Sequence, residues 1–179
     1  MIKFKKIYTE TYKMSGSSCL WASINLELYE KAVNVMISSD YGNFSYFWGS
    51  TGKNPKKFLT KISKDYTMKK FLGENMYEID LEACRKSIKE IIIEERKMLN
   101  ISKDEAFEAW IELDNIMNNY SMNENQYFTE ITRTDIFDKI FYDWEAIPTH
   151  RKNKSIVDLF WNDLWIPFTE ELKKELRHQ

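Results

Sequence analysis

A chain of 179 residues lies within the usual size range of one domain, and folding at this length buries about 70% of the surface that the unfolded chain exposes. Hydrophobic residues make up 43% and aromatic residues 15%, with five Gly and three Pro, which excludes a disordered chain, a collagen-like repeat and a linker-rich architecture. The net charge of −2 argues against a mimic of DNA, and two cysteines are too few for a secreted disulfide framework.

The first third of the chain predicts β-structure. Four segments alternate polar with apolar residues or are rich in β-branched and aromatic residues, and Gly-, Asn- or Ser-containing turns separate most of them. Because consecutive strands tend to pair, we expect an antiparallel meander of three or four strands. The predicted strands are Phe4–Met14, Leu20–Tyr29, Ala32–Ser38 and Phe44–Trp48.

After residue 53 the hydrophobic period becomes helical. Asn54-Pro55 is typical of a helix start, and Ser102 with Glu105 matches a capping box. Residues 118–126 are polar and predict a loop. The predicted helices are Pro55–Ile62, Asp65–Leu72, a helix capped by Asp80 to about Leu99, a helix from Ser102 to about Tyr120, Asp135–Trp144, Ser155–Trp165 and Pro167–Arg177, the last two separated at Pro167.

These elements predict an α+β fold, with an N-terminal antiparallel sheet packed against a mostly helical C-terminal half. We expect one domain over residues 1–179, with a sheet part at 1–50 and a helical part at 54–179. Charge differs between the halves, since residues 1–80 carry a net +4 and residues 81–179 a net −6. Such polarity permits docking onto a charged partner, although an unevenly charged solvated surface is commoner.

Nothing in the sequence indicates export or membrane insertion. The first twelve residues are charged and alternate polar with apolar, unlike a signal peptide. The longest aliphatic run, Ile91–Ile93, is far too short to cross a bilayer. Cys19 and Cys84 lack the paired spacing of a zinc site, so we expect two free, buried thiols in a reducing compartment.

No catalytic, metal or cofactor motif is present. His150 and His178 are the only histidines, and we expect both at the surface. Residues 49–53 (Gly-Ser-Thr-Gly-Lys) lack the glycine spacing of a phosphate-binding loop. The acidic cluster Asp135, Asp138, Asp143 and Glu145 has the chemistry to collect Mg²⁺, but charge on a solvated helix is the better interpretation.

An aromatic hairpin followed by a lysine-rich segment is the strongest candidate for a binding site. Residues 53–70 carry a net charge of +6. Such a surface can stack bases while neutralising phosphates, or dock on an acidic protein with Tyr and Trp as rigid anchors. The predicted binding residues are Asp40, Tyr41, Asn43, Tyr46, Trp48, Lys53, Lys56, Lys57 and Lys61.

A structural role competes with this interpretation. Alternation places Phe44, Tyr46 and Trp48 on one face of the strand and Ser45 and Phe47 on the other, so one aromatic group is buried whichever face is inside. The lysines then serve to solvate two small helices.

The segment 40–49 (Asp-Tyr-Gly-Asn-Phe-Ser-Tyr-Phe-Trp-Gly), with Phe58-Leu59 and Asp65-Tyr66, resembles small proteins encoded by bacteriophages and related mobile elements. The likeness covers residues 38–72. Small phage proteins without enzymatic motifs are often inhibitors of host defence, including anti-CRISPR proteins. The resemblance therefore implies action in the cytoplasm of the host bacterium, and it brings no catalytic residues.

Three functional hypotheses follow. The first is a non-enzymatic phage binding protein that inhibits a host defence protein or ribonucleoprotein complex, such as a CRISPR nuclease, by occupying a protein or nucleic-acid site. The second is a nucleic-acid-binding protein that contacts phosphates through the lysine segment. The third is an enzyme whose carboxylates or cysteines, among them Asp40, Asp135 and Cys19, converge only in the fold. A homodimer through Trp161, Trp165 and Phe168 also stays open, although core packing is the favoured role of these rings.

Overall fold

The computed structural model describes residues 2–118 and 122–178. In chain order, its elements are β1 (Glu10–Met14), β2 (Ala22–Leu28), β3 (Val33–Ser39), β4 (Gly42–Trp48), α1 (Pro55–Leu59), α2 (Lys64–Leu72), a 3₁₀ turn (Gly73–Met76), β5 (Tyr77–Ile79), α3 (Leu81–Lys97), α4 (Lys103–Met117), α5 (Glu124–Thr132), α6 (Asp135–Ile140), a second 3₁₀ turn (Trp144–Ala146), β6 (Arg151–Asn153), α7 (Ser155–Phe160), a π-turn (Trp161–Trp165) and α8 (Ile166–Arg177). The predicted α+β class, with an N-terminal antiparallel sheet and a mostly helical C-terminal half, is confirmed.

The chain forms two compact units. The sheet unit comprises residues 1–76 together with residues 153–179, and the helical unit comprises residues 77–152. The two C-terminal helices therefore belong with the sheet, although the sequence groups them with the helical part. A single domain over residues 1–179 stays a prediction.

The sheet unit is built on the predicted meander, in the order β1-β2-β3-β4 with every pair antiparallel. The register places Ile24 opposite Ile37 and Ile37 opposite Phe44, so these side chains share one face, and all three are buried. Helical side chains cover that face: the ring of Phe44 lies 4.4 Å from that of Phe160 and 5.8 Å from that of Phe71, measured between centroids. Period-two alternation thus fixes which side of the sheet carries the core.

The helical unit has its own hydrophobic core, formed by α3, α4, α5 and α6. Residues at helical spacing supply it, among them Ile88, Ile92, Leu113 and Tyr127, each at most 2% exposed. The short strands β5 and β6 pair in a separate two-stranded sheet. Both cysteines are buried free thiols, as expected: Cys84 lies in this core and Cys19 in the sheet unit.

Two predicted boundaries are wrong: the start of the first strand and the end of the loop at 118–126. The first strand begins at Glu10 instead of Phe4, because its paired register starts at Glu10 opposite Leu26. The predicted loop at 118–126 gives way to α5 from Glu124, because Asn123 and Gln126 form a reciprocal capping box. The predicted helix end at Tyr120 lies outside the described residues.

Two further helix predictions need correction. The predicted helix Asp135–Trp144 ends at Ile140 and is followed by a 3₁₀ turn. Pro167 does not separate two helices: the backbone N–H of Ile166 donates to the carbonyl of Trp161, and this π-turn carries α7 into α8 without a break. The wider turn accommodates a residue that has no N–H to donate.

Candidate binding surface

The β3–β4 hairpin directs its aromatic side chains to both faces of the sheet. Phe44 and Trp48 are buried, and Tyr46 between them is half-buried. Phe47 lies on the other face, where its ring is 53% exposed and 5.9 Å from the ring of Tyr29. Of the predicted binding aromatics, Trp48 is therefore a core residue at 3% exposure, and the exposed ring of the hairpin is one that the sequence analysis did not select.

Hydrogen bonds hold the turn of the hairpin. The Asp40 carboxylate accepts from the backbone N–H of Leu20 at 2.8 Å and from the thiol of Cys19 at 3.4 Å. The hydroxyl of Tyr41 lies 3.0 Å from the Oδ2 atom of Asp163 in the π-turn, so the hairpin is tied to the C-terminal helices. Asp40 and Tyr41 therefore form structural hydrogen bonds within the sheet unit.

The meeting of Cys19 and Asp40 bears on the hypothesis of a cysteine enzyme. Burial, then the hydrogen bond and charge of Asp40, raise the pKa of the Cys19 thiol to about 11. A nucleophilic cysteine needs the opposite shift, because the thiolate is the reactive form. This arrangement stabilises the loop and disfavours nucleophilic chemistry at neutral pH.

One serine–histidine contact was missed by the sequence analysis. Ser87 of α3 lies 2.8 Å from the Nε2 atom of His150, which is 63 positions away in the chain. Nucleophilic catalysis also needs a group that orients the base, and no hydrogen bond to the other ring nitrogen is seen in the part of the chain that the structure describes. No three His, Cys, Asp or Glu side chains within residues 2–118 and 122–178 could hold a metal ion together.

Lys56, in the lysine-rich segment, points into the protein. Its Nζ atom lies 2.5 Å from Glu10, 2.8 Å from Glu175 and 3.0 Å from the hydroxyl of Tyr12, and its side chain is only 12% exposed. Burial alone lowers the pKa of Lys56, but the hydrogen bonds outweigh it and raise the pKa above its ordinary value. Lys56 therefore joins β1, α1 and α8, and it is not free to contact a partner.

Lys57 and Lys61 lie on the solvent side of the same segment. Together with Lys173 and Arg177 of α8, they line an open groove of about 330 Å³, which we call the basic groove. Asn54 and Thr60 contribute polar atoms to its wall, and the Asn54 side chain is fixed by accepting from the backbone N–H of Lys57 at 2.9 Å. The groove has the charge and the polar groups to bind an anion.

Glu170 balances only part of the positive charge of the basic groove. Its carboxylate lies 2.6 Å from Lys173 and also interacts with the charge of Arg177, whereas Lys57 and Lys61 form no ion pair within the described residues. The whole sheet unit has sixteen Lys or Arg against eleven Asp or Glu, a net charge of +5. Grouped like charges repel one another, so a bound anion would stabilise this surface.

Lys173 and Arg177 are binding-site candidates that were not predicted from the sequence. In the sequence they stand among Glu170, Glu171 and Glu175, which makes the segment look balanced. Their spacing of four residues, which puts both on one helical face, is the signal that could have found them. Of the other predicted binding residues, Asn43 and Lys53 are exposed but do not line the groove.

Of the comparisons with known proteins, one finds a match. The model of the phage family Phage_phiTE_072 matches residues 2–175, nearly the whole chain. The chain belongs to this phage family. No curated protein and no solved structure matches it. In the described part of this phage protein, no helix has the length and apolar character needed to cross a membrane.

Proposed function

We propose that this phage protein is a non-enzymatic binding protein that inhibits a host defence machine, such as a CRISPR nuclease complex, by occupying a protein or nucleic-acid site in the host cytoplasm. Membership of a phage family and the basic groove support the proposal. A protein that blocks a site needs a surface complementary to it, and no chemical step.

The observation that carries the proposal is the convergence of four cations from two distant segments. Lys57 and Lys61 come from the region that the sequence selects, and Lys173 and Arg177 reach the same groove from α8. The site that such a groove would block is anionic, either a nucleic acid or an acidic protein surface.

A plaque assay tests this function. Bacteria with an active CRISPR nuclease that targets a phage are made to produce the protein, and plaques of that phage are counted. Production of the wild type should restore plaques, and the double variant Lys57→Glu/Lys61→Glu should reduce the restoration at least about tenfold, because four units of charge change in one groove.

The matched control is Lys86→Glu/Lys97→Glu, which makes the same charge change at two exposed positions of α3. This control should inhibit as well as the wild type, and both double variants should show the wild-type thermal unfolding midpoint within a few degrees. Equal inhibition by the groove variant would reject the basic groove. Failure of the wild type against a panel of defence systems would reject the proposed function.

A second function, binding to nucleic acid without a protein target, is favoured by the polar side chains Asn54 and Thr60 beside the cations. It predicts that labelled RNA or DNA binds with an affinity that falls steeply as salt rises, because phosphate neutralisation releases counterions. Fluorescence anisotropy at several salt concentrations measures this slope. Binding that salt does not change would exclude this function.

A further inference from the structure

A second groove, in the helical unit, combines aromatic rings with carboxylates. It lies beside α6 and the 3₁₀ turn at Trp144–Ala146 and has a volume of about 120 Å³. Its floor is apolar and consists of the buried side chains Ile131, Phe137, Phe141 and Ile147. Its rim carries Asp138, Tyr142, Asp143 and Trp144, and we call it the aromatic–acidic groove.

The rim exposes an unusual amount of aromatic surface. Tyr142 is 100% exposed and Trp144 is 64% exposed. The ring of Trp144 is held by an edge-to-face contact with Phe128, at 6.3 Å between centroids. Rings that are positioned by the fold but left open to solvent are typical of surfaces that bind a ligand or a partner.

The carboxylates of the rim are available to a ligand. Asp138 is exposed and forms no ion pair within the described residues. Asp143 uses one oxygen to accept from the backbone N–H of Ala146 at 3.0 Å, which leaves the other oxygen open. No cation of the described chain lies over the ring of Trp144 or Tyr142. The helical unit carries seventeen Asp or Glu against ten Lys or Arg, a net charge of −7.

We propose that the aromatic–acidic groove binds an arginine side chain of a protein partner. A planar guanidinium stacks on an indole face and donates two parallel hydrogen bonds to one carboxylate, here Trp144 and Asp138. The methylene stem of the arginine covers the apolar floor. A volume of about 120 Å³ holds the end of one side chain, which favours a single anchor within a larger contact.

The charge of this groove excludes a nucleic-acid backbone, since carboxylates repel phosphates. This groove would therefore contact a basic protein partner, whereas the basic groove of the sheet unit would contact an anionic one. This proposal goes beyond the proposed function, and the two can be tested separately. The basic groove can fail its test while the aromatic–acidic groove binds arginine, or the basic groove can pass its test while the aromatic–acidic groove does not bind arginine.

An NMR titration with the blocked peptide Gly-Gly-Arg-Gly-Gly tests the proposal. Saturable chemical-shift changes are expected at the amides of residues 138–147 and at the Trp144 indole N–H. Asp138→Asn should weaken binding about tenfold, because a hydrogen bond to a charged group is lost. Asp104→Asn, which removes an exposed carboxylate from α4, should leave the affinity unchanged.

Two matched peptides separate arginine recognition from general attraction. The citrulline peptide keeps the shape and loses the charge, and the lysine peptide keeps the charge and loses the planar fork, so both should bind several-fold more weakly. The proposal is overturned if citrulline binds as well as arginine, if lysine does so, or if Trp144→Ala, with its exposed ring removed, retains the full affinity.

Discussion

Lys56 and Glu175 form an ion pair, with 2.8 Å between Nζ and Oε2, across 119 positions of the chain. The same ammonium group also contacts Glu10 and Tyr12, so one side chain joins the first strand, the first helix and the last helix. Because α1 and α8 are the two walls of the basic groove, this network holds the groove in shape.

Lys56→Met should destabilise the protein by about 1–3 kcal/mol, because Glu10 and Glu175 then lose their shared partner in a partly buried site. Chemical denaturation measures the change in free energy of unfolding. Lys57→Met, at the exposed neighbouring position, should change it by less than about 0.5 kcal/mol. Equal effects of the two substitutions would contradict the network.

The contribution of Lys56 should depend on pH. The pKa of Glu10 is lowered from 4.5: burial raises it, but the hydrogen bonds from Lys56 and Tyr12 and the charge of Lys56 together outweigh burial. The stabilising effect of Glu10 is therefore present above pH 4.5 and lost as pH falls through the lowered pKa. The pKa of Lys56 is raised above 10.5, so its effect is present below pH 10.5 and lost as pH rises through the raised pKa. The stability difference between wild type and Lys56→Met should thus be largest between pH 5 and pH 10 and should shrink below pH 4. A difference that stays constant from pH 3 to pH 8 would exclude this ionic origin.

The two faces of the hairpin should respond differently to truncation. Trp48→Ala should cost about 3–5 kcal/mol of unfolding free energy, because the buried ring packs 5.6 Å from Phe71 between centroids. Phe47→Ala should cost about 1 kcal/mol or less, since more than half of its ring is exposed. A larger loss from Phe47→Ala than from Trp48→Ala would mean that the hairpin presents the opposite face to the core.

Cys19 should react slowly with a thiol reagent at pH 8, since burial and Asp40 raise the pKa of its thiol to about 11. In a Cys84→Ser background, which leaves Cys19 as the only thiol, Asp40→Asn should speed alkylation by about tenfold, because it removes the carboxylate that disfavours the thiolate. The midpoint of the pH–rate profile should move to lower pH. A faster rate with an unchanged midpoint would instead indicate a loosened loop.

We expect that replacing Leu99 with glycine stabilises the folded protein. It has a positive φ of 63° after α3, where Leu99 and Asn100 donate their backbone N–H groups to Arg96 and Glu95 in a Schellman arrangement. Leu99→Gly should stabilise the protein by about 1 kcal/mol, because glycine adopts this conformation without strain and the lost side chain is 78% exposed. Leu99→Ala keeps the strain and should give no such gain in thermal unfolding.

Local pattern was enough to predict much of the fold. Alternation identified the strands, including the third strand with its buried Val33, Val35 and Ile37, and caps at Asp80 and Ser102 located the starts of the two longest helices. These signals work because they depend on neighbours within four residues. The missed helix α5 carries a capping box of the less usual Asn–Gln type, at Asn123 and Gln126.

Charge, aromatic content and the lysine-rich segment could be read from the amino-acid sequence alone, and so could the α+β class. Only the tertiary structure decided which lysines face solvent, since Lys56 and Lys57 are neighbours in sequence and opposite in environment. It also brought Lys173 and Arg177 to the same groove as Lys57 and Lys61, and it placed Asp138 and Trp144 on the rim of another groove. Such groupings depend on how helices pack across long sequence separations, and the packing is set by the shape of the whole core instead of by local sequence.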